Sequence, residues 1–166
     1  MKFKRPVDDK FPVSATYGKW GPYWGFHMLK DGTWIKGQLN GQGQHKGIDF
    51  AVPIGTEVLA MADGFVAKSG WENIRDPKQG FGQRVRQQIV NEKGQTMTVV
   101  YGHLSTIHVL AGHQLHAGDR IGLSGNTGHS TGAHLHVELV DSRGQYHPIE
   151  FDVAREEVAK IDEPQV

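Results

Sequence analysis

Short alternations of apolar and polar residues, each closed by glycine or proline, run through most of the chain. Phe11, Val13 and Ala15 alternate with smaller or polar neighbours, and similar runs recur over 47–52, 57–60, 64–69, 83–91, 96–103, 120–123 and 134–140. A period of two puts successive side chains on opposite faces of a pleated chain, so these runs predict short, half-buried strands. Two stretches, IGTEVLAMADGFV at 54–66 and AGHQLHAGDRIGLSG at 111–125, resemble each other as strand and turn units. A polar loop is predicted over 71–82 and a hairpin turn at 91–95 around Gly94. The run RVRQQIV at 84–90 is too polar for an ideal buried strand and predicts an edge strand or a bulge. A helical period shows only weakly, at Val153, Val158 and Ile161, which predicts a short helix in a tail over 152–166.

The alternation fails between residues 17 and 44. Trp20, Tyr23, Trp24, Phe26 and Trp34 are spread there among seven glycines with no period of 2 or 3.6. The stretch predicts one or two long surface loops, and loops of that length tend to be functional, for example as the wall of a binding groove. The expected fold class is therefore all-β: an antiparallel sheet, barrel- or sandwich-like, with long loops forming a groove.

Length adds that 166 residues suit a single domain, 1–166, with a core large enough to stand without disulfides. Lys plus Arg equal Asp plus Glu at 18 each, so no global field favours nucleic acid or an anionic membrane. The chain has no cysteine, which removes disulfides, thiolate nucleophiles and Cys-based zinc sites together. No apolar run is long enough to span a bilayer. The opening MKFKRPVDDKF is basic, but Pro6, Asp8 and Asp9 stand where a signal peptide needs an apolar stretch. Work outside the cytoplasm then implies a removed leader or delivery by a phage.

Ten histidines are the compositional oddity, and three pieces of sequence concentrate the chemistry. In HKGID at 45–49, strand alternation puts His45, Gly47 and Asp49 on one face, with the glycine leaving space for an ion. In HLHVEL at 134–139 it puts His134 and His136 side by side while Leu135 and Val137 point into the core. In YGHLS at 101–105, His103 closes a strand that begins at Thr96. Catalytic zinc sites use three His, Asp or Glu ligands and keep a fourth position for water, whose pKa falls to about 7. Histidines left over beside such a metal can move the protons that amide hydrolysis requires and steady the oxyanion.

In this order and context the chain resembles the lysostaphin-type, or LytM-like, family of zinc metallopeptidases. The resemblance rests on HKGIDF at 45–50, PIGTEVLA at 53–60, YGHLS at 101–105 and GNTGHSTGAHLHVE at 125–138, and covers about residues 11–151. It implies one Zn2+ held by His45, Asp49 and His136, with His103 and His134 as a catalytic pair close to the metal. His134 is the favoured base or water orienter and His103 the favoured oxyanion stabiliser. It further implies a monomeric endopeptidase acting on peptidoglycan cross-bridges or stem peptides, outside the cytoplasm. Some family members carry an upstream polar side chain on the zinc. Asn40 and His27 are the candidates for that here, with ordinary loop residues the preferred reading. His108, His113 and His116 read as exposed, His129 as bordering the substrate and His147 as structural. Two other readings compete: a catalytically silent wall-binding or regulatory module, which should lack a ligand, and a D-alanyl carboxypeptidase, which separates the first His and Asp by a longer spacing.

Overall fold

The computed structural model describes residues 1–152, and every regular element in them is a strand. In chain order these are β1 (Lys2–Phe3), β2 (Val13–Ala15), β3 (Trp20–Gly21), β4 (Gly25–Met28), β5 (Trp34–Gly37), β6 (Gly43–Gln44), β7 (Ile48–Phe50) and β8 (Glu57–Leu59). There follow β9 (Gly64–Trp71), β10 (Gln83–Val90), β11 (Thr96–Ile107), β12 (Gln114–Leu115), β13 (Arg120–Ser124), β14 (Leu135–Asp141), β15 (Tyr146–His147) and β16 (Glu150–Phe151). The tail helix expected around Val153, Val158 and Ile161 lies outside the described residues.

The main sheet runs β12-β9-β10-β11-β14-β7-β2, with β13 bridging β11 to β8 and β15 beside β14. Its pairs are antiparallel, while β1 and β16 form a separate parallel pair. The two resembling stretches of sequence meet: β8 pairs with β13 and β9 with β12. One face of the sheet closes over Phe50, Val58, Val85, Tyr101, Leu104, Ile121, Leu135 and Val137, all with no exposed surface. Every strand predicted from the alternating runs is present, because burial of one face fixes both the register and the identity of such a strand.

Two expectations are corrected. Residues 17–44 are not a loop but a four-stranded sheet in the order β3-β6-β4-β5. Its glycines read as breakers, yet they let backbones approach: a Cβ on Gly25 would collide with the Gln44 carbonyl, and one on Gly43 with the carbonyls of Tyr23 and Gly37. Nor is β10 an edge strand, since it pairs with β9 on one side and β11 on the other. The bulge expectation is borne out, with register shifts at Gln83/Val85 and at Arg86/Gln87. The polarity of β10 is absorbed internally. Gln87 is wholly buried, its Nε2 donating to Ala62 O at 2.7 Å and its Oε1 accepting from the Tyr101 hydroxyl at 2.7 Å. The same hydroxyl accepts from Met61 N at 2.8 Å, so the Gln87 amide, the Tyr101 hydroxyl and Met61 N are all paired.

Candidate metal centre

Register alone brings two chemical groups together. Asp49 on β7 stands directly opposite His136 on β14, and His136 stands opposite Gly102 on β11. Directly opposed residues in antiparallel strands share a face, so the Asp49 carboxylate and the His136 ring are held side by side. Their hydrogen bond, from Nδ1 of His136 to Oδ1 of Asp49, measures 2.7 Å. His45 arrives from outside the strand, which begins only at Ile48. The backbone around it is pinned instead, His45 N donating to Lys19 O and Gly18 N to His45 O, both at 2.8 Å. Its Nε2 then lies 3.4 Å from Oδ2 of Asp49. Gly47 makes room, but not directly for an ion: a Cβ there would collide with the Val137 carbonyl and press on the His136 ring. The glycine lets β7 and the imidazole of β14 close on each other.

One ligand atom each from His45, Asp49 and His136 falls within 4.8 Å of the others. The remaining ring nitrogens are committed elsewhere. His45 Nδ1 donates to Thr16 O at 3.1 Å, and His136 Nε2 is 2.9 Å from Oε1 of Glu138. This leaves His45 Nε2, His136 Nδ1 and the Asp49 carboxylate facing one point. Two imidazole nitrogens and a carboxylate oxygen, each ring oriented by an acceptor behind it, form a donor set that fits zinc. Without the ion the contacts favour a protonated His136 beside an ionised Asp49. Burial alone pulls the His136 pKa down, but the hydrogen bonds to Asp49 and Glu138 outweigh it and bring it up to about 9. Burial likewise pushes the Asp49 pKa up, and the hydrogen bonds from His136 and His45 more than reverse this, leaving it well below the usual carboxylate range.

His103 and His134 lie beside this cluster with ring centroids 4.8 Å apart. His103 sits inside β11 and not at its end, and it has φ of 60°, a left-handed conformation uncommon for a residue with a side chain. Such strain persists only where the surroundings enforce it. Here His103 N donates to Phe81 O at 2.7 Å and Nδ1 donates to Thr127 O at 2.6 Å. Thr127 is itself fixed, its Oγ1 donating to Leu104 O at 2.7 Å and accepting from Gln83 N at 3.1 Å. Burial drives the His103 pKa down to about 4, so the ring is neutral. His134 Nδ1 donates to Gly132 O at 2.8 Å, and its Nε2 is 3.9 Å from Oδ1 of Asp49. Both rings thus present a bare Nε2 when neutral.

Glu138 was overlooked in reading the sequence, although alternation along HLHVE puts it on the face of His134 and His136. It is 3% exposed and also 3.6 Å from Lys46 Nζ. Phe81, from the loop before β10, stacks on His136 with centroids 5.8 Å apart, and nothing in its sequence context marked it. Tyr23 packs on His45 at 4.5 Å, which places part of the aromatic 17–44 segment at the site. Of the two upstream candidates, His27 is buried in β4 and Asn40 is exposed in a turn at φ 53°; neither belongs to the cluster. His108, His113, His116 and His129 are exposed, and His147 holds Asp141 with Nε2 2.8 Å from Oδ2.

Known proteins resemble this chain in sequence and in fold. The peptidoglycan DD-endopeptidase ShyA of Vibrio cholerae is 44% identical over 96 residues, which are 58% of this chain and 20% of that protein. The chain spans about a fifth to a quarter of the curated relatives it matches. Among solved structures, the catalytic domain of the prophage-encoded M23 protein EnpA from Enterococcus faecalis superposes with a TM-score of 0.64 at 27% identity, covering 88% of this chain and 94% of that one. The catalytic domain of lysostaphin from Staphylococcus simulans gives a TM-score of 0.56 at 32% identity, covering 80% and 88%. The profile of peptidase family M23 matches residues 43–148, which hold every residue of the cluster, and on that match the chain belongs to peptidase family M23.

Proposed function

We propose that this chain is a zinc-dependent endopeptidase domain that hydrolyses peptide bonds in bacterial peptidoglycan, outside the cytoplasm. The observation that carries the reading is the convergence of His45, Asp49 and His136 on one point, with two further imidazoles alongside. In this reading His45 Nε2, His136 Nδ1 and the Asp49 carboxylate hold one zinc. The metal would supply Lewis acidity toward the scissile carbonyl and the attacking water. The chain's own contribution is the proton traffic. Neutral His103 offers Nε2 as an acceptor and His134 presents its own Nε2 beside it, so the pair can take a proton from water, pass it to the leaving nitrogen and hydrogen-bond the developing oxyanion. Thr127 O and Gly132 O fix the tautomers that make this possible. The names of ShyA, a peptidoglycan DD-endopeptidase, and of lysostaphin, an antimicrobial peptidase, support the substrate class.

Mass spectrometry of digested sacculi tests the proposal. Cleaved cross-links, abolished by a chelator and by His134→Ala, are the expected result. Release of terminal D-alanine alone would make the chain a carboxypeptidase, and no product from folded, zinc-loaded protein would make it a binding module.

A further inference from the structure

The Glu138 carboxylate connects the cluster to a second group that the proposed chemistry leaves unused. Its Oε1 accepts from His136 Nε2 at 2.9 Å and lies 3.6 Å from Lys46 Nζ. That ammonium is 4.7 Å from the ring centroid of Phe81, 5.4 Å from Trp24 and 5.7 Å from Tyr146. One cation is therefore gripped by a buried carboxylate and by three aromatic rings from three separate segments. The Lys46 side chain keeps only 20% of its surface exposed, and cation–π attraction strengthens as the cation loses water. A carboxylate as deeply buried as Glu138 is costly without a countercharge, and Lys46 supplies one at 3.6 Å. Trp24 is the exposed member of the three rings, at 57%, so the clasp runs from the metal ligand to the protein surface.

Resting on the reading of His136 as a zinc ligand, we propose that Lys46 is a positioning residue for the metal centre. It anchors Glu138, Glu138 orients the His136 ring from behind, and Trp24, Phe81 and Tyr146 hold the lysine in place. Groups behind a metal-bound histidine typically change metal affinity by about 10–100-fold when removed.

The test is zinc affinity by competition with a chromophoric chelator, on the full chain, with thermal melting of the metal-free protein in parallel. Lys46→Met should weaken zinc binding about tenfold while leaving a cooperative melt. Lys46→Arg should restore most of the affinity, because a guanidinium can keep both the carboxylate and the aromatic faces. Glu138→Gln should weaken binding at least as much. The double variant Lys46→Met with Glu138→Gln should bind no worse than Glu138→Gln alone, since one acts through the other. Unchanged affinity in Lys46→Met, or losses that multiply in the double variant, overturn the proposal. Should Lys46→Met not fold, Lys46→Gln takes its place in the cycle, and wild-type affinity in Glu138→Gln overturns the proposal on its own. His136→Ala separates the two levels. Zinc retained there defeats the ligand assignment, whereas zinc lost there, with the Lys46 and Glu138 variants unaffected, defeats this inference alone.

Discussion

Replacing Gly47 with alanine adds one methyl group at the most confined point of the site. An ideal Cβ there would overlap the Val137 carbonyl and sit 2.8 Å from Cε1 and 3.0 Å from Nε2 of His136. The carbonyl cannot withdraw, because Val137 is paired with Ile48 on one side and Tyr101 on the other. Relief of the carbonyl overlap requires moving β7 outward, and relief at the imidazole requires turning the His136 ring, a shift that breaks the 2.7 Å contact with Asp49. Overpacking of this kind costs about 1–3 kcal/mol. For a domain of this size each kcal/mol lowers Tm by about 2–4 °C, which gives a drop of about 2–12 °C. Calorimetric melting of the metal-free protein reads the strain, and zinc competition reads the displaced ring. A Gly47→Ala protein that melts with the wild type and binds zinc equally well would refute the close approach of β7 and His136.

Tyr101→Phe removes a hydroxyl that serves Met61 N and Gln87 Oε1, leaving both buried without it. Denaturant unfolding should show a loss of about 1–3 kcal/mol for each stranded group, with zinc affinity unchanged because the network lies apart from the metal cluster. Zinc binding should also be linked to protons. His136 in the metal-free protein has a pKa raised to about 9 by Asp49 and Glu138 against its burial, so below that pH a proton must leave Nδ1 for zinc to bind. Affinity should then rise with pH and level off above about 9. Calorimetry in buffers of different ionisation enthalpy should report about one proton released per zinc near neutral pH, and buffer-independent heats would contradict it.

The strands that carry the site were legible because each buries one face, as with Leu135 and Val137 beneath His134 and His136. The expectation that His45, Asp49 and His136 come together came from family resemblance added to that alternation. The small sheet over 17–44 was not legible. Its strands are two to four residues long, and the glycines at 25 and 43 mark strand crossings that look like loop composition until the partner backbone is known. The central position of β10 was hidden for another reason. A buried glutamine reads as an edge unless its tyrosine partner, 14 residues away, is recognised. Glu138 was within reach, because its register places it behind His136. Lys46 was not, since its surroundings come from Trp24, Phe81 and Tyr146, which only the folded chain assembles.

Metal analysis of purified wild-type, Asp49→Ala and His134→Ala proteins, each confirmed folded by its melt, tests the central claim most directly. The account predicts about one zinc per chain in the wild type and in His134→Ala, and none in Asp49→Ala. Full zinc in folded Asp49→Ala, or a folded wild type that takes up no zinc, would contradict it.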